Sequence, residues 1–195
     1  MRYEKGRKDA SRNRIMEVAA ERFRRDGIAA SGLASVMNDA GLTNGAFYSH
    51  FGSKTDLVRE CVVAALEDQT EHMKEIITAG GAELAIAAYL SPESRDNPGK
   101  SCALAALLPE LARQPADTRA AYAAQFQQMV SQVVATSSQN GKVPEDVGFG
   151  VYATLIGTLQ LARAMAGTEM SDRILKAGAD AAQRLLTAHR DEVAL

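Results

Sequence analysis

The residues whose types and spacing suit recognition chemistry lie in one short segment, between Thr43 and Phe51. Spaced as a helix, this segment places Phe47 and Phe51 one turn apart on one side. The other side carries small or polar residues, namely Asn44, Gly45, Ala46, Ser49 and His50. Small and polar groups at the start of an exposed helix can approach base edges, and polar groups near its ends can bind phosphates. The segment therefore favours contact with a nucleic acid.

Catalytic chemistry has little support in the sequence. The three histidines, His50, His72 and His189, are far apart, and His50 already belongs to the segment above. No GxSxG, HExxH, P-loop or GxGxxG motif occurs. We therefore expect no enzymatic activity, no metal site and no cofactor.

The elements that position this segment are helices. A first helix is predicted to begin at Asp9 or Ser11 and to end at Gly27. It carries an apolar stripe at i, i+3, i+4 and i+8, which is formed by Ile15, Val18, Ala19 and Phe23. A second helix is predicted from an N-cap at Ser31 to Ala40, followed at once by Gly41.

Thr43 then caps a third helix that runs to about His50. Two short helices joined by a tight turn after a longer helix are typical of a helix-turn-helix.

The remaining chain is predicted to be helical as well. A long helix starts at Ser53, where Asp56 supports the cap, and ends at Gly80-Gly81. Five further helices are predicted at about 82–90, 101–113, 115–139, 144–167 and 171–191, with a polar loop at 91–100. No stretch alternates with period two, so the sequence predicts an all-α protein of about nine helices. Its domains are expected at 1–53, with a basic arm and the helix-turn-helix, and at 54–195.

The segment from Arg14 to Leu57 closely resembles the DNA-binding domain of the TetR family (TetR/AcrR type). The family's spaced pattern is filled at Ala20, Phe23, Gly27, Ala40, Gly41, Leu42, Thr43, Gly45, Phe47, Tyr48, His50, Phe51, Lys54 and Leu57. A pattern this long, with strict spacing, rarely arises by chance, so it is specific for the family. It covers roughly a quarter of the chain, and the later helices are similar to the family in number, length and order only.

The resemblance implies roles for particular residues. Thr43 would cap the recognition helix and touch a phosphate, and Asn44, Gly45 and Ala46 would approach bases. Phosphate contacts are implied for Ser31, Tyr48, His50 and Lys54. One departure is Ala46, where many members have Thr or Ser, so that one polar contact is missing. The pair Val36-Met37 replaces a common Ile-Ala pair, which changes packing.

For the C-terminal part, the resemblance implies a homodimer in which the last two helices pair with their copies as a four-helix bundle. A two-fold dimer would also place two recognition helices in successive major grooves, about 34–36 Å apart. The apolar stripes of the last two helices could instead belong to the core of a monomer.

A ligand pocket is expected among the middle helices. Its candidate residues are Cys61, Met73, Cys102, Leu107, Phe126, Met129, Val133 and Tyr152. For each apolar member, ordinary core packing is the alternative. Flexible methionines and few charges favour an apolar or amphipathic inducer.

Cys102 supports a separate hypothesis. It follows Lys100 at the start of a predicted helix, and both a helix N-terminus and a nearby cation favour the thiolate. The inducer could therefore be an electrophile or oxidant that modifies Cys102, although a buried inert thiol is the common case.

Charge is distributed unevenly along the 195 residues. Residues 1–60 hold 11 Lys/Arg and 8 Asp/Glu, a net of +3, whereas the remaining chain has a net of −5. The basic end suits an anionic partner. The N-terminus has no apolar stretch, no membrane span is present and the two cysteines lack CxxC spacing, so a cytoplasmic location is expected.

These observations together predict a ligand-responsive, sequence-specific transcriptional repressor. It would bind a palindromic operator as a dimer and be released when a small molecule shifts the long helix that starts at Ser53. The alternatives are a transcriptional activator and a non-specific DNA-binding helical dimer.

Overall fold

The computed structural model describes residues 2–137 and 143–193, which form eight α-helices, two 3₁₀ helices and no strand. The α-helices are α1 (Arg2–Asp26), α2 (Leu33–Asp39), α3 (Lys54–Tyr89), α4 (Pro92–Asp96), α5 (Ala103–Leu111), α6 (Ala116–Ser137), α7 (Glu145–Ala164) and α8 (Glu169–Val193). The 3₁₀ helices lie at Asn44–Ser49 and Pro98–Lys100. We call the first of these the 44–49 helix. The all-α prediction is confirmed.

The first three helices form a small unit around a shared apolar core. Its completely or almost completely buried members are Ile15, Ala19, Phe23, Val36, Met37 and Phe47. The two glycines that end α1 and follow α2, Gly27 and Gly41, have φ values of 90° and 73°, which L side chains rarely adopt. The helix-turn-helix prediction is thus confirmed in its order and its turns.

Three details of this unit correct the sequence-based predictions. Helix α1 begins at Arg2 rather than at Asp9 or Ser11, because the polar arm continues the same helix without an apolar stripe. The N-cap of α2 is Gly32, not Ser31. Thr43 is the N-cap of the 44–49 helix, as predicted, but its hydroxyl accepts no capping hydrogen bond, and the helix is of the 3₁₀ type.

Helix α3 links this unit to the rest of the molecule. At its start the Ser53 hydroxyl accepts a hydrogen bond from the Asp56 backbone N–H at 3.1 Å and donates one to the Asp56 carboxylate at 2.8 Å. This cap agrees with the prediction. Gly81, with φ 80° and ψ 178°, interrupts the helix where the glycine pair was expected to end it.

The segment 91–100 is not the loop that was predicted. Ser91 caps the short helix α4, its hydroxyl accepting a hydrogen bond from the Ser94 backbone N–H at 3.1 Å, and Pro92 occupies the first turn. Pro98 opens the second 3₁₀ helix in the same way. Proline suits the first turn of a helix, where its missing N–H has no intrahelical partner.

Helices α7 and α8 pack closely along their length. A Cβ atom added at Gly178 of α8 would overlap the Thr158 side chain of α7, so the close approach requires glycine at this position. No helix within the described residues combines the length and apolar character needed to cross a bilayer.

Candidate nucleic-acid interface and ligand pocket

The face of the 44–49 helix that turns away from the core is polar and exposed. Thr43, Asn44, Gly45 and Tyr48 are exposed, and Tyr48 leaves 71% of its surface accessible. The sequence predicted this face from the position of the two phenylalanines. An exposed tyrosine with a free hydroxyl beside an asparagine can donate and accept hydrogen bonds toward a ligand surface.

The opposite side of this helix anchors it. Phe47 and Phe51 are buried and stack with ring centroids 5.6 Å apart, and the Tyr48 ring meets Phe47 edge-on at 5.2 Å. Ala46 is half-buried against the core. The aromatic base therefore fixes the direction in which the exposed face points.

Glycine at position 45 is not required by the protein's own packing. A Cβ atom added there would have no neighbouring atom within 4 Å, and the backbone φ is not positive. The small surface at this exposed point leaves room for close approach by another molecule.

His50 lies at the end of the same helix, half-buried, with no hydrogen-bond partner for Nδ1. Burial lowers the pKa of its imidazole, and the positive charges of Lys8 and Arg12 lower it further. Free His50 is thus neutral near physiological pH, and an approaching anion would favour its protonation.

Two predicted phosphate-contacting residues have structural roles in the free protein. The Ser31 hydroxyl is buried and donates to the Gly27 carbonyl at 2.7 Å. The Lys54 ammonium donates to the Ile28 carbonyl, and burial lowers the pKa of Lys54. Their contacts with phosphate stay predictions, and each would require the side chain to leave or share its present partner.

A pocket of about 480 Å³ opens between α3, the segment 91–101 and the start of α5. We call it the α3–α5 pocket. Its walls include Met73, Tyr89, Ser101, Cys102 and Leu159. Its size falls within the range of small-molecule sites.

Four side chains behind one wall of this pocket form a buried polar cluster. Cys102 caps the N-terminus of α5 and is 4% exposed, and its electrostatic neighbours are Tyr89, Tyr152 and Arg163. Burial raises the pKa of both tyrosine hydroxyls and lowers that of the Arg163 guanidinium.

The predicted ligand-binding residues are divided among several places. Met73 and Cys102 line the α3–α5 pocket, whereas Val133 and Tyr152 line a separate apolar cavity of about 40 Å³, which Met73 also borders. Leu107 and Met129 are buried in the core, and Phe126 packs against Tyr152 with ring centroids 5.8 Å apart.

Cys61 faces the contact between α1 and α3 rather than the α3–α5 pocket. Its thiol donates to the Met16 carbonyl at 3.6 Å, and burial raises its pKa to about 12. A thiol with so high a pKa is a poor nucleophile. Of the two cysteines, Cys102 alone lies at the pocket.

Sequence analysis did not select Tyr89 or Arg163. Arg163 is the one basic residue of α7 and follows a long run of uncharged residues, which is a signal that could have been noticed. Tyr89 sits in a regular apolar pattern, so the sequence alone gave no reason to single it out.

Hydrogen bonds join α1 and the α1–α2 turn to α5 and to the segment 91–101. Glu110 of α5 accepts from the backbone N–H groups of Ile28 at 3.0 Å and Ala29 at 2.8 Å. Arg24 Nε donates to the Gly99 carbonyl at 2.7 Å. We call these contacts the α1 clasp. Gly99 lies within the segment whose other residues, including Asn97 and Ser101, line the α3–α5 pocket.

Comparison with known proteins agrees with this architecture. Residues 15–61 match the model of the family described as bacterial regulatory proteins, tetR family. The chain is 30% identical over 73 residues to the HTH-type transcriptional repressor KstR2 of Rhodococcus jostii. That match covers 37% of this chain and about a third of the relative's length, 36%.

Solved structures share the fold over most of the chain. The reduced form of NemR from E. coli superposes with a TM-score of 0.67 at 18% identity, over 87% of this chain and 95% of that one. The regulatory protein TetR from Rhodobacter sphaeroides gives 0.67 at 15% identity, over 86% and 96%. Residues 15–61 therefore match the helix-turn-helix region of this family, and the described helices share the fold of these solved structures.

Proposed function

We propose that the protein is a ligand-responsive transcriptional repressor that binds a palindromic DNA operator as a homodimer. The observation that carries this proposal is the exposed, small and polar face of the 44–49 helix, fixed on Phe47 and Phe51 within a TetR-family domain. The similarity of part of the chain to KstR2, a repressor, supports repression rather than activation.

In this proposal the 44–49 helix enters the major groove. Asn44, Gly45 and Ala46 approach the bases, and Thr43 and Tyr48 bind flanking phosphates. His50, Lys54 and Ser31 add phosphate contacts at the edges of the unit. The exposed cations Arg7, Lys8 and Arg14 of α1 contribute attraction that depends on salt rather than on sequence.

The homodimer is proposed to form through α7 and α8. Each helix carries a stripe of apolar or small residues that stays at least partly exposed in the single chain: Ala153, Gly157 and Leu161 on α7, and Met170, Ile174, Ala177, Ala181 and Leu185 on α8. Leu161 and Met170 are 55% and 53% exposed. Burying such stripes against a second copy removes apolar surface from water, and Gly157 permits close helix approach.

Ligand response is proposed to pass through the α1 clasp. A molecule in the α3–α5 pocket presses on the segment 91–101, which carries Gly99, and on α5, which carries Glu110. Both residues hold the N-terminal unit in place. Movement of either would change the orientation of the 44–49 helix relative to its copy and lower the affinity for two fixed half-sites.

The clasp can be tested with Glu110→Gln. An amide is neutral and has one acceptor oxygen, so both N–H groups, of Ile28 and Ala29, lose a charged partner and one of them loses its acceptor. Each hydrogen bond to a charged group is typically worth about 1.5–3 kcal/mol. We expect amide hydrogen exchange at these two residues to accelerate by about tenfold or more, and DNA affinity to fall roughly fivefold. Glu75→Gln, an exposed substitution on α3, is the control; equal exchange in both variants would contradict the clasp.

Cys102 is proposed as a point at which an electrophile or oxidant could act. Cys102 lies at the N-cap of α5 and lines the pocket, so a reagent that enters the pocket would meet its thiol. Its low exposure argues that the reagent must enter through the pocket. Cys102→Ser should abolish release from DNA by N-ethylmaleimide, whereas Cys61→Ser should leave it intact; release that persists in Cys102→Ser would refute this route.

DNA binding is expected to strengthen as the pH falls from about 8 to about 6. In the free protein the pKa of His50 is depressed, so the imidazole is neutral at neutral pH; a phosphate partner raises that pKa, and binding takes up a proton. Between the two pKa values affinity therefore rises as pH falls. His50→Gln should flatten the profile, while His72→Gln, exposed on α3, should not; a profile unchanged by His50→Gln would exclude this contact.

The proposed function as a whole can be tested by selection. The purified protein is used to enrich fragments from a random DNA pool over several rounds. Enrichment of a palindrome with half-sites about one helical turn apart is expected. Enrichment without any common sequence would instead favour a non-specific DNA-binding dimer.

A further inference from the structure

Arg163 is a half-buried cation that has no acidic partner among the described residues. Its Nη2 donates to the Ser94 carbonyl at 2.9 Å and to the Ser101 hydroxyl, but Nε and Nη1 are buried without a hydrogen-bond partner. Among the described residues its electrostatic neighbours are Cys102 and Tyr89 rather than a carboxylate. Because arginine remains charged in proteins, this positive charge is uncompensated.

Two other partly buried arginines of the same chain are paired with acids, whereas Arg24, like Arg163, donates to a backbone carbonyl and has no ion pair among the described residues. Arg95 contacts Asp96 and Asp172, and Arg22 contacts Asp39.

The groups around Arg163 are donors as well. Among the described residues the buried Tyr152 hydroxyl has no hydrogen-bond partner, and the buried Tyr89 hydroxyl has only the Cys102 thiol, a weak partner, within reach; both residues are at least 95% buried. Unsatisfied buried polar groups of this kind call for a partner that comes from outside the chain. Arg163 and Tyr89 thus bring two donor side chains, one of them cationic, to the same wall, where an acceptor with negative charge would satisfy both.

The cluster stands directly behind the α3–α5 pocket. Tyr89, Ser101 and Cys102 belong to the pocket wall, and Ser101 also accepts from Arg163. Leu159, one turn before Arg163 on α7, lines the pocket too. Apolar side chains of Met73 and Ile76 face the remaining space, while Lys100 and Glu93 lie exposed at its rim.

We infer that the α3–α5 pocket binds a small organic monocarboxylic acid, with the carboxylate toward Arg163 and Tyr89 and the apolar body against Met73, Ile76 and Leu159. This inference rests on the proposed function, since it names the class of the effector. The carboxylate supplies the acceptor that the donor cluster lacks, and charge-assisted hydrogen bonds to arginine are among the stronger ones in proteins. The pocket volume of about 480 Å³ admits an acid of several carbons.

The test compares two probes of nearly equal shape, hexanoate and hexanamide, by isothermal titration calorimetry on the full chain without DNA. Hexanoate is expected to bind at least about tenfold more tightly, because hydrogen bonds to a charged acceptor are worth more than those to a neutral one. Arg163→Met should remove this preference, and Tyr89→Phe, which deletes one oxygen from a buried ring, should weaken hexanoate binding severalfold. Arg113→Met, at an exposed arginine, is the matched control.

Several results would overturn the inference. Equal affinity for the two probes would do so, as would hexanoate binding that both Arg163→Met and Tyr89→Phe leave unchanged. A lack of binding by every unbranched acid from butyrate to decanoate would do so as well. If Arg163→Met does not fold, the carboxylate site is still tested by Tyr89→Phe and by the comparison of hexanoate with hexanamide. DNA binding is measured separately, so its failure would count against the proposed function and not against the carboxylate site.

Discussion

Gly157→Arg is expected to convert the protein into a monomer and to weaken binding to a two-half-site operator by about a hundredfold or more. Within one chain a Cβ atom at this position meets nothing within 4 Å, so the fold accepts the substitution. In the proposed dimer the same position lies in the middle of the α7 stripe, between Ala153 and Leu161. A long cation there separates the helices, and each 44–49 helix must then bind alone, without the gain from two linked contacts.

Sedimentation velocity and fluorescence anisotropy measure the two parts of this result. Ala124→Arg places the same side chain at an exposed alanine of α6 and should leave both mass and affinity unchanged. A Gly157→Arg protein that remains dimeric would exclude the α7–α8 face as the interface.

Gly45→Leu is expected to abolish sequence-specific DNA binding, with a loss of about a hundredfold or more, while thermal stability stays within the wild-type range. Neither the backbone conformation nor the packing of the 44–49 helix requires glycine. An added side chain on this exposed face would therefore clash with the DNA and not with the protein. Dimerisation should be unaffected, which separates this variant from Gly157→Arg.

A graded series makes the measurement sharper. Gly45→Ala should lose less affinity than Gly45→Leu, because the steric conflict grows with the volume of the side chain. Anisotropy with operator DNA gives the affinities, and circular dichroism melts give the stabilities. If Gly45→Leu binds the operator as wild type does, the 44–49 helix does not enter the groove in the proposed orientation.

Much of the fold follows from local sequence signals. Apolar stripes of helical spacing located the long helices, and Gly27, Gly41 and Gly81 mark the turns and the kink because each has a positive φ. The start of α1 was placed too late, since a polar helix has no stripe to reveal it. The helix α4 was missed although its signals were present: Ser91 as N-cap, Pro92 in the first turn and Glu93 near the helix start.

The recognition face could be predicted from the sequence more completely than the pocket could. The polar face of the 44–49 helix is contained in nine consecutive residues, so its exposed and buried sides could be predicted together. The cluster of Tyr89, Cys102, Tyr152 and Arg163 joins α3, α5 and α7, and only the packing of these helices brings the side chains together. Because apolar character was the signal for pocket residues, the prediction also included core residues such as Leu107 and Met129.

In the proposed function, the dimer recognises one DNA sequence through the 44–49 helix. The most direct measurement is fluorescence anisotropy of the purified protein with its own promoter DNA, titrated with salt and with random-sequence competitor. We expect binding that random DNA displaces only at an excess of about a thousandfold and that weakens steeply with salt. Binding that is absent, or that random DNA displaces at equal concentration, would contradict it.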